Sequence, residues 1–260
     1  MELIAERPLY LGQFVGRVEP GQVFDIDDYF ARQLIEEGKA SVKPSAPVAV
    51  SKSGYVTCIM PTRNRRQWVP RAIELFRAQT YEKKELLIVD NGDSVADLVP
   101  QDPRITYIHA SVGMKLGALR NFCCGRSDAE FIAHWDDDDW YHPERLAEQI
   151  AAIEGHQVVA YNRCYFDGEP GQYLYKAPAN HGIGSSLLFR RAWWEKNRFA
   201  PLQVSEDAQF IERAVRVTNF VDGAGRMVAS IHPGNTSARM VKADAYKKAP
   251  AADLPTEYFA

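Results

Sequence analysis

Phe131-Ile132-Ala133-His134-Trp135-Asp136-Asp137-Asp138-Asp139-Trp140-Tyr141-His142-Pro143 is the stretch whose reading decides the fold. Its first residues form an apolar run suited to a buried strand, and the run stops at four consecutive aspartates. Neighbouring side chains of an extended segment point to opposite faces, yet carboxylates in unbroken succession stay within several ångströms of one another. At ~6 Å and an effective dielectric of ~20, each like-charge pair costs about 3 kcal/mol. A divalent cation is the usual agent that offsets such a cost. Carboxylate-only clusters suit hard ions such as Mg²⁺ or Mn²⁺, which are commonly shared with substrate phosphates. The competing reading is a solvated acidic turn that caps the next helix. The cluster's place argues for the metal–phosphate site, because open α/β sheets bind ligands at the C-terminal ends of their strands. The flanking Trp135 and Trp140 also argue against a loose surface loop.

Upstream of this stretch the same grammar repeats. Tyr55 to Met60 reads as a buried strand ending in Pro61-Thr62-Arg63-Asn64-Arg65. Trp68 to Gln79 reads as an amphipathic helix, with Trp68, Ala72, Ile73 and Phe76 on one face and Pro70 in the first turn. Glu85 to Val89 is a second buried strand, ending at Asp90-Asn91-Gly92-Asp93, and Ile105 to Ile108 is a third. Leu116 to Gly125 is a short helix that leads into the aspartate strand, and Pro143 opens a helix running to about Glu154. Apolar strands alternating with helices predict a mostly parallel central sheet covered on both faces.

Downstream the character changes. Val158 to Phe166 and Tyr173 to Ala177 read as strands, and the glycine-rich His181-Gly182-Ile183-Gly184-Ser185-Ser186 enters the strand Leu187 to Phe189. Arg190 to Asn197 is a short helix carrying Trp193 and Trp194, either a platform for a ring or core packing. Ser205-Glu206-Asp207 reads as a helix start, with Ser205 as the cap and acids in the first turn. Residues 240–260 are polar and read as a mobile tail.

Residues 1–45 read as a small N-terminal ββα module. Strand-like Tyr10 to Val18 and Val23 to Ile26 flank a Pro-Gly turn, and a helix over residues 29–37 is stopped by Gly38. Its centre, EPGQVFDIDDYFARQLIEEGKA, resembles small modules of bacteriophage virion proteins. The Lys43-Pro44-Ser45-Ala46-Pro47 linker separates it from a main domain over residues 54–239.

The chain has 260 residues and a formal net charge of −3. There is no global basic field for nucleic acid or an anionic membrane. The first residues lack the basic-then-apolar form of a signal peptide, and no apolar run approaches the ~20 residues of a membrane span. Cys58, Cys123, Cys124 and Cys164 form no CxxC pair and read as buried thiols of a reduced compartment. The expectation is a cytoplasmic protein of a bacterial or phage-infected cell.

The series IMPTRNR, LLIVDNGD, GMKLGALRN, HWDDDDWYHPERL and SEDAQF, in this order over residues 55–236, resembles the family 2 glycosyltransferases of the GT-A, Rossmann-like fold. That resemblance implies a hexosyltransferase-like, inverting enzyme. It would move a sugar from a nucleotide-sugar, expected to be a UDP-sugar, to an acceptor hydroxyl with Mn²⁺ or Mg²⁺ as cofactor. It implies that Pro61, Thr62 and Arg65 form the loop beside the base, that Asp90 hydrogen-bonds uracil, and that Lys115 and Arg120 lie near the uridine and diphosphate. Asp136 and Asp138 match the DxD, with Asp138 as direct metal ligand and Asp136 serving ribose or metal. Asp137 is placed with the donor, while the roles of Asp137 and Asp139 stay open. Asp207 matches the general base of the ED pair, beside Glu206. His232 matches a histidine that completes the metal shell. His181, Gly182 and Ser185 match an acceptor-side loop, and Glu206 is placed with them on the acceptor side. Read without the resemblance, Asp90 is a turn residue before Asn91-Gly92, and Arg120-Asn121 is an ordinary polar helix face.

Two other classes compete. One is a noncatalytic sugar- or nucleotide-binding module of a phage or surface complex, suggested by the N-terminal unit. The other is a nucleotidyltransferase, which would carry a glycine-rich basic loop after its first strand; Pro61-Thr62-Arg63-Asn64-Arg65 is not one. Retention of both metal acids and the base favours the enzyme. The acceptor stays open among glycan, protein, lipid-linked and modified (hydroxymethylated) DNA-base hydroxyls.

Overall fold

The structure is a computed structural model. It describes residues 52–110, 113–169, 171–236 and 245–259, together with the backbone of five short strands among the first residues. The chain divides into two compact units, Met1–Ser51 with Ser111–Gly113, and Lys52–Ala110 with Met114–Ala260.

In the first unit, β1 (Glu2–Ala5) pairs antiparallel with β4 (Val23–Asp25) and β5 (Ala40–Val42). β2 (Leu9–Tyr10) pairs with β3 (Arg17–Val18). The sequence reading took Tyr10 to Val18 as one strand beside Val23 to Ile26; instead β2 and β3 pair with each other, and β4 pairs with β1, the middle strand of the β4-β1-β5 sheet, which the sequence reading missed along with β5. The helix expected over residues 29–37 lies outside the described residues.

The second unit is built on one mixed sheet. Its first half is parallel: β6 (Lys52–Thr62) lies between β7 (Lys84–Asp90) and β9 (Ala129–His134), and β8 (Ile105–His109) adds to β7. β6, β7 and β9 are buried on both faces, which is why they read as unbroken apolar runs, whereas β8 at the edge is only partly buried. Alternate residues go to opposite sides. Val56, Cys58 and Met60 join a core with Leu86 and Ile88 under α1 (Val69–Arg77), whose inner face is Val69, Ala72, Ile73 and Phe76. Ile59, Leu87, Val89 and Ile132 join a second core with Leu119, Cys123 and Cys124 of α2 (Leu116–Gly125). All four cysteines are free and buried, and burial pushes the Cys58 and Cys123 thiols up to about 12.

The register aligns the C-terminal ends of the parallel strands. Thr62 pairs with Asp90, and Ile59 pairs with His134. The loops after β6, β7 and β9 therefore open along one edge, where a ligand site is expected in such sheets.

Beyond β9 the sheet becomes mixed. β13 (Leu188–Arg190) lies antiparallel to β9, and β11 (Val158–Gly168) lies antiparallel to β13. β11 also carries β14 (Thr218–Asp222) and β15 (Met227–Ile231) as parallel neighbours and β12 (Tyr173–Lys176) as an antiparallel one. Its early residues serve one set of partners and its late residues another, which curls the sheet. β15 pairs with the short β10 (Trp140–Tyr141) directly after the aspartates. Helices α3 (Arg145–Ala152), α4 (Arg191–Lys196) and α5 (Glu206–Ala214) complete the unit.

The polar C-terminal stretch is not a loose tail over residues 245–259. β16 (Tyr246–Lys248) pairs with β12. Leu254 is buried against Trp140 and Val228, and the Tyr258 hydroxyl donates to Asp167 Oδ2 at 2.7 Å. Tyr246, Leu254 and Tyr258 supply apolar anchors within a sequence whose average polarity hides them. Among the described residues no helix is long and apolar enough to cross a membrane.

Candidate active site

Trp135 anchors the aspartate loop. It is fully buried, its Nε1 donates to the Ala72 carbonyl at 3.0 Å, and it packs on Phe76 and Tyr141. Immediately after this fixed point the chain turns, and its carboxylates sort by partner. Asp137 is almost wholly buried; Thr62 Oγ1 donates to it at 2.6 Å and Arg65 Nη1 at 2.8 Å. Burial, reinforced by Asp138, pushes its carboxyl up to about 6 against the pull of Arg65 and Thr62. Asp138 Oδ2 accepts from Arg65 Nη1 at 2.9 Å, His232 Nε2 at 2.9 Å and Asn235 Nδ2 at 3.3 Å. Asp139 Oδ1 accepts from the Ser230 amide at 3.0 Å, and the Ser230 hydroxyl donates to the Asp138 carbonyl. Asp136 keeps about a quarter of its side chain exposed, at 25%. Its carboxyl is raised by burial and by Asp138, with Arg120 pulling it down.

One carboxylate oxygen each from Asp136, Asp138 and Asp139 lie within 4.8 Å of one another. This is a donor set of hard oxygens, and it fits Mg²⁺ or Mn²⁺ on chemistry and spacing. The structure thus puts Asp139 in the cluster and gives Asp137 to Thr62 and Arg65. His232 lies beside the cluster, stacked on Trp68 with ring centroids 5.1 Å apart. Its Nδ1 accepts from the Gly234 amide at 3.1 Å, so Nε2 carries the proton and faces Asp138 as a donor. Metal ligation through Nε2 would require the 232–235 turn to release Nδ1.

Arg120 is nearly wholly buried under the cleft and does not present its guanidinium at an open surface. It lies 3.4 Å from Asp136 Oδ1 and 3.2 Å from Glu206 Oε1. Its Nη1 also donates to His134 Nε2 at 2.8 Å, while His134 Nδ1 donates to the Gly184 carbonyl at 2.7 Å. Burial and the neighbouring Arg120 hold His134 neutral, well below the usual histidine range. Glu206 is buried at the start of α5, and burial pushes its carboxyl up to about 7, with Arg120 opposing. The sequence reading placed Arg120 near the diphosphate and Glu206 on the acceptor side, with no contact between them. Their pairing crosses two loops and leaves no trace in spacing.

Asp207 is half-buried, and the loop before β13 is shaped around it. A Cβ on Gly184 would stand 1.5 Å from Asp207 Oδ2, so only glycine lets the carboxylate approach there. Asp207 also lies near enough to Asp136 to raise that group's pKa. The cap differs from expectation: Ser205 sits at φ +69° and makes no side-chain capping bond. In the same loop Ser185 is buried and His181 is exposed. Arg145, fully buried over the Tyr141 ring at 4.1 Å, donates to the carbonyls of His134 at 2.9 Å and Ser185 at 3.3 Å. It ties the end of β9 to this loop.

Asp90 is fully buried, and its oxygens accept from Gly92 N at 2.8 Å, Val95 N at 3.2 Å and the Tyr107 hydroxyl at 3.2 Å. The turn role read from the residues alone accounts for these contacts. Lys115 is exposed at the N-terminus of α2, and Thr62 and Arg65 are spent on the aspartates. Trp194 is core, its Nε1 donating to Asn121 Oδ1 at 2.9 Å.

The glycosyl transferase family 2 model matches residues 57–208. A protein of Escherichia coli (strain K12) named as a colanic acid biosynthesis glycosyl transferase, WcaA, is 32% identical over 152 residues, 55% of this chain and 53% of that one. The succinoglycan biosynthesis protein ExoO of Rhizobium meliloti (strain 1021) is 32% identical over 124 residues, 45% of this chain and 35% of its own. The chain thus spans about half or less of the length of these relatives. Among solved structures, S. aureus TarS 1-349 in complex with UDP-GlcNAc superposes with a TM-score of 0.59 at 16% identity, covering 72% of this chain and 62% of that one. The mannosyltransferase PcManGT from Pyrobaculum calidifontis, in complex with GDP-Man and Mn²⁺, gives a TM-score of 0.56 at 15% identity over 80% and 64% of the two chains. With its family match over more than half its length and its GT-A fold, this chain belongs to glycosyl transferase family 2.

Proposed function

We propose that the chain is a metal-dependent, inverting glycosyltransferase that moves a sugar from a UDP-sugar to an acceptor hydroxyl. The carrying observation is the cluster of Asp136, Asp138 and Asp139 oxygens within 4.8 Å after β9, with Asp207, in the first turn of α5, near enough to raise the Asp136 carboxyl. Asp136, Asp138 and Asp139 would hold Mn²⁺ or Mg²⁺, with His232 adjoining. An ion held there would supply charge stabilisation for the departing diphosphate. Pro61, Thr62 and Arg65 shape the loop beside the donor, Asp90 fixes the loop that lines the base, and Lys115 offers an exposed cation to phosphate. Asp207 takes the proton of the acceptor hydroxyl as it attacks the anomeric carbon, which needs hydrogen-bond reach between them. His181, Gly182 and Ser185 border the acceptor. Glu206, paired with Arg120, holds the first turn of α5 in place.

Two fold neighbours carry UDP-GlcNAc and GDP-Man in their structures, which supports a nucleotide-sugar as donor. The test is a screen of UDP-sugars for UDP release without acceptor, with Mn²⁺, with Mg²⁺ and with EDTA. The reading expects one sugar to give metal-dependent release. Release that is equal in EDTA, or absent with every nucleotide-sugar, overturns it.

A further inference from the structure

Arg65 is tied into the aspartate loop that forms the carboxylate cluster. Its Nη1 touches Asp137 Oδ1 at 2.8 Å and Asp138 Oδ2 at 2.9 Å, and its Nη2 donates to the Gly234 carbonyl at 2.5 Å. Asp138 Oδ2 has two lone pairs to offer and already faces three donors, from Arg65, His232 and Asn235. A metal ion taking that oxygen must displace at least one of them. Arg65 is the permanently charged member, so it opposes the ion by repulsion as well as by occupancy.

We propose that Arg65 is an internal counter-cation of the aspartate loop, one that keeps the nucleotide-free site from taking up divalent metal. This inference rests on the metal reading above. The Asp137 carboxylate is only 1% exposed and is held by Thr62, so it retains Arg65 by its other contact when Asp138 is released. The guanidinium, 19% exposed, then turns its freed N–H groups toward the cleft. A diphosphate arriving with the ion offers those groups new charge-assisted partners. The same arginine therefore disfavours the ion alone and favours the ion with its nucleotide. Its bond to Gly234 carries the exchange to the turn that fixes the His232 tautomer.

A unit charge ~4 Å from the ion is worth orders of magnitude in affinity at an effective dielectric of ~20. Partial exposure and salt reduce this to about tenfold or more.

The experiment titrates Mn²⁺ alone into the full chain, followed by loss of the free Mn²⁺ electron-paramagnetic-resonance signal, and repeats it with UDP. Arg65→Gln should bind Mn²⁺ alone about tenfold or more tighter than the native chain, and Arg65→Lys should stay near the native value. Added UDP should raise the native chain's Mn²⁺ affinity far more than that of Arg65→Gln. Equal or weaker Mn²⁺ binding by Arg65→Gln without UDP overturns the proposal. Should that variant fail to fold because Asp137 is left unpaired, Arg65→Gln with Asp137→Asn removes both members, and the same comparison decides. A native chain that binds no Mn²⁺ even with UDP overturns the metal reading itself. Native binding with UDP, together with indifference of the variants, overturns only the role of Arg65.

Discussion

Gly117→Ala sets two effects of known sign against each other. Gly117 is the second residue of α2, and helix propensity alone predicts that alanine there is stabilising by about 1 kcal/mol. The surroundings predict the opposite. A Cβ at this position would lie 1.8 Å from the Ala200 carbonyl oxygen and 3.1 Å from the Glu206 Cβ. The nearer atom is backbone and cannot rotate away. The segment behind it is stitched to α2 by Gly117 N to Leu202 O at 2.9 Å and Asn121 Nδ2 to Phe199 O at 2.8 Å. Overpacking costs about 1–3 kcal/mol, and each such bond lost adds about 1 kcal/mol. The clash outweighs the propensity, so the net loss is about 1–3 kcal/mol, or roughly 3–10 °C in Tm for a domain of this size. Circular-dichroism melting measures it. The same displacement shifts the first turn of α5, so transfer rate should fall further than UDP affinity. A Tm equal to or above that of the native chain would refute the reasoning.

Asp207→Asn removes the proposed proton acceptor with little change of shape, so transfer should drop about 10²–10⁴-fold with UDP-sugar affinity nearly unchanged. Calorimetry paired with a transfer assay checks this, and an equal collapse of donor binding would make Asp207 a binding group instead. Glu206, raised to about 7 by burial, keeps in the folded chain a proton that the unfolded chain releases near its ordinary value of 4.5. Its contribution is complete below that lower value and is lost as pH rises through about 7. Glu206→Gln should therefore flatten the fall in Tm from about pH 5 to about pH 8, and an unchanged slope counts against the assignment. The two-unit division predicts that a chain starting at Lys52 stays folded and binds UDP; insolubility would show that the first unit completes the core.

The fold was legible wherever one strand's chemistry sufficed. Val56 to Met60, Leu86 to Val89 and Phe131 to Ala133 are buried on both faces, and their apolar runs announce it. Val69, Ala72, Ile73 and Phe76 carry the helical period on their own. The far half was less legible because β11 serves four neighbours, and no period in Val158–Gly168 says which residue meets which strand. Strands β14 and β15 went unread for a related reason: Thr218–Asp222 and Met227–Ile231 are five residues each and gain their burial from β11. In the site, the aspartate run and Asp207 were visible as residue types in motif order. The sorting of Asp137 to Arg65 and of Asp139 to the cluster was not, since it depends on how the turn after Trp135 aims each carboxylate. The Arg120–Glu206 pair and the His232–Trp68 stack join residues far apart in sequence, and only the fold brings them together.

The most direct test of the account is calorimetric titration of UDP into the chain with Mn²⁺, with EDTA, and into Asp138→Asn with Mn²⁺. Asp138 contributes one of the clustered oxygens and faces both Arg65 and His232. Its amide replacement removes a charge from a crowded anionic loop, so the fold should survive. The account predicts tight UDP binding only for the native chain with Mn²⁺, and strong weakening both in EDTA and in the variant. UDP affinity indifferent to EDTA and to Asp138→Asn would contradict it.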